Sequence, residues 1–231
     1  MVNLTSHLQK TSRLYGRRKG RPLRVRKAQL MRELLPALEI KLPEKGPLDV
    51  GKLFVASPTS IWLEIGFGGG EHLALQAEKN PTDGFIGCEP FVNGVASLLD
   101  HIDQKQLRNV RIFPNDARIM LDVLPEASVA RCFILFPDPW PKARHAERRF
   151  VCAENMPRLA RVLRKGAELR LATDVAPLAE WMRDCMAGAK EFDLVEDATT
   201  RPADWMPTRY EAKGIRAGRK PVYLKYIRNS K

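Results

Sequence analysis

Short apolar runs alternating with helix-period segments constrain the fold of this chain more than any other feature. Residues 61–65, 84–88, 110–113, 129–136 and 168–172 read as strands. Between them apolar residues recur at helical spacing, for example Val95, Leu98 and Leu99, or Met156, Leu159, Val162 and Leu163. Strands separated by helices pair in parallel through right-handed crossovers, so the expected architecture is α/β, a doubly wound, mostly parallel sheet. Two later runs, 192–195 and 222–227, predict a C-terminal antiparallel hairpin added to one sheet edge. Upstream, Leu30, Met31, Leu34, Leu35 and Leu38 predict one amphipathic helix over residues 24–40, and Pro43, Pro47 and Pro58 mark a linker after it. The expected organisation is therefore a basic arm and helix in residues 1–50 and one α/β domain in 51–231.

Charge says more about partners than about fold. The net charge of +12 in 231 residues favours a polyanion. Its distribution is uneven: no acid precedes Glu33, whereas Arg13, Arg17, Arg18, Lys19, Arg21, Arg24, Arg26 and Lys27 all do. Tyr15, Gly16 and Gly20 interrupt these charges, which favours a phosphate-binding arm over a solubilising tail. No apolar run approaches a membrane span and the start of the chain lacks a secretory signal pattern, so the expectation is a cytoplasmic protein with no membrane partner. Cys88, Cys132, Cys152 and Cys185 have neither CxxC spacing nor a nearby histidine pair, so neither a metal nor a disulfide framework is expected.

Open α/β sheets bind ligands beyond the carboxyl ends of their strands. Five acids occupy successive strand ends here: Glu64, Glu89, Asp116, Asp138 and Asp174. An acidic rim in so basic a chain suits S-adenosylmethionine, which carries a sulfonium, an ammonium and ribose hydroxyls but no phosphate. After the first strand, Glu64-Ile65-Gly66-Phe67-Gly68-Gly69-Gly70 supplies glycines that let backbone approach a ligand, with helix amides available for the methionine carboxylate. A dinucleotide fingerprint would need glycine where Glu71 stands, which favours the methyl donor over NAD. Glu89 stands 25 residues beyond Glu64, near the spacing at which an acid meets a cofactor ribose, with two oxygens for two hydroxyl protons. Asp116 fits two roles, acceptor for the adenine amino group or N-cap of the next helix.

The most specific segment is Phe136-Pro137-Asp138-Pro139-Trp140-Pro141-Lys142-Ala143-Arg144-His145, followed by Arg148 and Arg149. Prolines on both sides of Asp138 restrict the local backbone. Trp140 is able to stack a base, or to act as a packing residue, and four cations stand near to meet phosphates. His7, His72 and His101 have no partner motif and read as surface or satisfied residues; His145 either touches RNA or orients the basic turn.

With these motifs, and with Thr173-Asp174, Thr208-Arg209-Tyr210-Glu211 and Lys213-Gly214, the chain resembles the bacterial tRNA (guanine-N7)-methyltransferase family from Ile61 to Tyr226. The resemblance implies a Rossmann-like S-adenosylmethionine methyltransferase fold for 51–231 and methylation of the variable-loop guanosine (position 46) of tRNA. It implies Glu64, Glu89, Asp116 and Asp138 as cofactor contacts, beside the loop glycines Gly66 and Gly68, with Asp138 also catalytic. Lys142, Asp174, Thr208, Arg209, Tyr210 and Glu211 are implied as substrate contacts, in a monomer or homodimer without metal. One departure is Pro141, where the family has a non-proline residue between Trp and Lys, and it bears on the flexibility of the loop.

Guanine N7 has a free lone pair at neutral pH, so methylation needs no prior deprotonation. The task is positioning and electrostatics. A carboxylate accepting from guanine N1–H and the amino group would do both and select against adenine, which lacks the N1 donor. Two other readings stay open: an exocyclic-amine methyltransferase, whose Asp-Pro-Pro-aromatic motif differs from Asp138-Pro139-Trp140 by its second proline, and a non-catalytic RNA-binding protein that keeps the fold. Arg216, Arg219, Lys220 and Lys225 predict a second RNA-contact surface or a solvated edge.

Overall fold

A computed structural model of the chain describes residues 16–203 and 205–230. Seven strands form one sheet in the order β3-β2-β1-β4-β5-β7-β6. Strands β1 (Ile61–Ile65), β2 (Gly84–Cys88), β3 (Val110–Phe113), β4 (Val129–Leu135) and β5 (Leu163–Thr173) pair in parallel. The hairpin of β6 (Phe192–Ala198) and β7 (Val222–Arg228) joins antiparallel through β7, next to β5. Sheet and hairpin are those expected from the sequence. β5 starts earlier than its apolar core predicts, at Leu163, which pairs with Val129 of β4; the exposed Arg164, Lys165 and Gly166 fall at a register shift, and pairing resumes at Glu168 with Arg131.

Alternation along each strand divides the core into two faces. Ile61, Leu63 and Ile65 of β1 point to one cluster, joined by α5 (Ala117–Val123), α6 (Met156–Val162) and α7 (Ala176–Ala187). Trp62 points to the other, joined by α3 (Glu71–Lys79) and α4 (Val92–Lys105). All five residues of β1 are buried, as befits a central parallel strand covered on both faces. Glu64, one residue from Leu63 and Ile65, therefore faces α3.

The single helix predicted for 24–40 is two helices, α1 (Val25–Glu33) and α2 (Leu35–Leu38). Pro36, at the start of α2, cannot donate the N–H that would continue α1. Leu30, Met31, Leu34 and Leu35 still pack on the α3/α4 face. Beyond α2, Ile40 N–H donates to Ile112 O at 2.8 Å, and a parallel bridge between Glu39 and Ile112 covers the free edge of β3. Among the described residues no helix is long and apolar enough to cross a membrane.

Candidate active site

The strand order reverses between β1 and β4, and ligands of open α/β sheets sit at such a reversal. A cleft of about 470 Å³ opens at the carboxyl ends of these strands, a size suited to a cofactor. Its floor is the loop from β1 to α3. Gly66 has φ +73°, and a Cβ there would meet nothing within 4 Å, so the loop turns its bare backbone to open space. Gly70 has φ +80° and lies so close to α4 that a Cβ would come 2.6 Å from Leu98 Cβ. An acid, an open glycine face and an adequate volume fit a methyl donor carrying positive charge.

Glu89 ties the cleft together. Its Oε2 accepts from Gly68 N–H at 2.8 Å and its Oε1 from Phe91 N–H at 3.0 Å. A carboxylate has about four acceptor positions, so each oxygen keeps one for a further donor. Burial pushes this carboxyl above its usual range against the pull of those two N–H groups, and the charges of Asp138 and Glu64 add to the push. Asp116 caps α5, accepting from Arg118 N–H at 2.9 Å, and it also lines the cleft. The Arg118 guanidinium grips the same carboxylate from the cleft wall, at 2.6 Å to Oδ2.

After β4 the chain turns sharply through Pro137-Asp138-Pro139. Phe136 at φ 50° and Trp140 at φ 41° bracket the turn in the left-handed region, which non-glycine residues seldom adopt. Asp138 is exposed on the cleft rim and makes no hydrogen bond or ion pair among the described residues. Trp140 lies beside it, with the Arg148 guanidinium 5.1 Å over its ring and His145 edge-on at 5.9 Å. Burial and the charges of Arg148, Arg144 and Lys142 lower the His145 pKa. Lys142 is exposed at the cap of a 3-10 helix, Ala143–Arg148.

The basic arm also reaches this cleft. Gly16 and Arg17 line the cleft, and a Cβ on Gly16 would stand 3.8 Å from Asp138 Oδ2. Asn93 at the start of α4 holds this strap, accepting from Gly20 N–H and donating to Arg21 O, each at 2.8 Å. The earlier part of the arm, including Arg13 and Tyr15, lies outside the described residues, as does His7.

Residues 58–224 match the family model described as "Putative methyltransferase". The chain is 47% identical over 224 residues to a tRNA (guanine-N(7)-)-methyltransferase of Paramagnetospirillum magneticum, covering 95% of this chain and 94% of that protein. A protein of the same name from Rhodospirillum rubrum is 45% identical over 224 residues, covering 94% of this chain and 88% of its own length. This chain belongs to the tRNA (guanine-N7)-methyltransferase family. The crystal structure of the 16S rRNA methyltransferase KamB shares the fold at a TM-score of 0.56 and 16% identity, over 75% of this chain and 89% of that one.

In this family member the residues expected to contact substrate divide into two groups. Tyr210 and Arg209 open the helix α8 (Arg209–Arg216) and are exposed, the Tyr210 ring lying against Gly68 at the cleft. Burial raises the Tyr210 pKa, and the nearby charges of Glu89 and Asp138 raise it further. Thr208, Glu211 and Asp174 instead fasten α8. Thr208 and Glu211 form a capping box, in which Glu211 N–H donates to Thr208 Oγ1 at 3.0 Å and Thr208 N–H to Glu211 Oε2 at 3.1 Å. Glu211 is 2% exposed and also accepts from Arg201 and the Tyr223 hydroxyl. Asp174 packs against Gly214 and accepts from Arg219 Nε at 2.7 Å. Two of the four predicted late cations thus serve ion pairs, Arg219 with Asp174 and Lys225 with Glu168.

Glu64 lies behind the loop, with its side chain 4% exposed and Oε2 2.7 Å from His72 Nδ1. Gln76 meets the other ring nitrogen at 3.3 Å. His72 is the satisfied residue expected of it, though its partner is a rim acid. Sequence reading missed Asn93, Arg118, Arg201 and Tyr223. Asn93, Arg201 and Tyr223 act through tertiary contacts, and only Arg118, two residues after Asp116, sits where local spacing offers a signal.

Proposed function

We propose that this protein transfers the methyl group of S-adenosylmethionine to N7 of the variable-loop guanosine of tRNA. One observation carries the reading: Asp138 is a carboxylate without a partner among the described residues, aimed from a constrained turn at the mouth of a donor-sized cleft. The bound donor supplies an electrophilic methyl carbon. Glu89 and the backbone of residues 66–68 would hold its adenosine and methionine parts, while Asp116, which lines the same cleft, would accept from the adenine amino group.

Asp138 would accept from guanine N1–H and the amino group, and its charge would favour the positive charge that develops on the purine. Trp140 offers a face for the base, Lys142 and Arg144 reach for phosphates, and the strap at Arg17 brings a cation to the mouth. No group needs to remove a proton for the attack, because N7 already has its lone pair. Asp138→Asn keeps the shape but loses the charge and one acceptor. Its single-turnover rate should fall on the order of a hundredfold while tRNA affinity changes little. A wild-type rate in that variant would contradict the role. A wild-type rate that rises tenfold per pH unit, with the rise lost in Asp138→Asn, would instead make Asp138 a general base.

A further inference from the structure

The turn that presents Asp138 has little means of holding itself. Pro137, Pro139 and Pro141 bring no N–H to the segment, while its carbonyls still require donors. Arg149, itself on the cleft wall, supplies them: its Nε donates to Pro139 O and its Nη2 to Trp140 O, each at 3.1 Å. The guanidinium is seated on the Trp181 ring, 4.6 Å from the centroid, and the Trp181 indole donates to Val151 O at 2.7 Å. Trp181 belongs to α7 and packs, partly buried, against the core cluster that includes Ile134 of β4 and Leu171 of β5. The strained φ values of Phe136 and Trp140 thus sit on a turn braced through Arg149 to the core.

We infer that Arg149 is a positioning residue for methyl transfer, fixing the aim of Asp138, and not one of the phosphate-binding cations with which its neighbours group it. This rests on the function proposed above. Two of its donor groups and one face are committed to protein partners, and only the planar guanidinium fork spans two successive carbonyls.

Three variants of the full chain test it: Arg149→Lys, Arg149→Gln and Trp181→Phe. Each is compared with wild type in single-turnover methylation at saturating tRNA and donor, and in tRNA binding across a salt series. Lysine keeps the charge but not the fork, so Arg149→Lys should lose at least about tenfold in rate, within the loss of about a hundredfold that a 1 Å misplacement brings. Its tRNA affinity should stay within about twofold of wild type. Arg149→Gln should leave the log–log salt slope unchanged, whereas removing a cation that neutralises a phosphate would lower it by about 0.7 to 0.9. Trp181→Phe, which keeps an aromatic seat but not the Val151 tether, should show a smaller rate loss with the same slope, and it carries the test if both Arg149 variants fail to fold. A wild-type rate in Arg149→Lys, a lowered slope in Arg149→Gln, or an unchanged rate in Trp181→Phe would overturn the role. Wild-type failure to form N7-methylguanosine would instead count against the proposed function, since the reference reaction is that assay.

Discussion

Glu89 and Glu64 illustrate two uses of a buried carboxylate. Burial raises the Glu89 carboxyl, so its contribution to stability is fully present below its ordinary value of 4.5 and is lost as pH rises through the raised value. Donor hydroxyls that hydrogen-bond the ionised form would pull the value back down. Donor binding should therefore release protons in the range just above pH 4.5, seen by calorimetry in buffers of different ionisation heat. Glu89→Gln should abolish the release, and its absence in wild type would remove Glu89 from the donor site. Glu64 instead depends on His72. His72→Ala leaves a buried carboxylate without that donor and should destabilise the fold by about 3 kcal/mol in urea unfolding, with His72→Gln recovering part. A loss below about 1 kcal/mol would show that solvent replaces the histidine. The acids themselves were legible as strand-end residues, but their partners were not: Arg219 is paired with Asp174 across 45 positions, and no local period links them.

The strands of the parallel sheet could be read from sequence because burial on both faces demands continuous apolar runs, as in Ile61–Ile65. Where one face is wet the signal fades. β6, the edge strand, keeps Phe192 buried while Asp193, Leu194 and Val195 are exposed, and it runs to Ala198, beyond the predicted stretch. The break at Leu34 was hidden by an apolar periodicity that survives it, although Pro36 marked the place. Helix α8 is the element whose anchoring sequence alone did not show: within the motif Thr208-Arg209-Tyr210-Glu211, Thr208 and Glu211 also form the capping box that holds the helix in place. Eight residues are too few for an independent helix, so its order depends on those anchors. Tyr223→Phe removes a buried hydrogen bond to Glu211 and should raise amide exchange in α8 without changing β1 or β4, at an expected loss of about 2 kcal/mol. Equal exchange in α8 of both proteins would show that the capping box and Arg201 suffice.

At the scale of the whole molecule, a glycine-lined cleft that holds Glu89, Asp116 and Asp138 sits within a chain of net charge +12. Both signs of charge meet there: carboxylates stand at the strand ends, while Arg17 of the arm and Arg148 of the 143–148 helix line the same cleft. The strap from Gly16 to Arg21 joins them, because Asn93 seats it across the cleft mouth. Removing residues 1–22 should weaken tRNA binding and flatten its salt dependence, by up to about 0.9 in the log–log slope for each phosphate that the arm had neutralised. An unchanged slope would make the arm a solubilising tail. The most direct test of the proposed reaction is incubation of the full chain with S-adenosylmethionine labelled in its methyl group and unmodified tRNA, followed by chemical cleavage at N7-methylguanosine. The expected result is one labelled cleavage site, in the variable loop, formed by wild type and strongly reduced in Asp138→Asn; label at an exocyclic amine, or no transfer to tRNA at all, would contradict it.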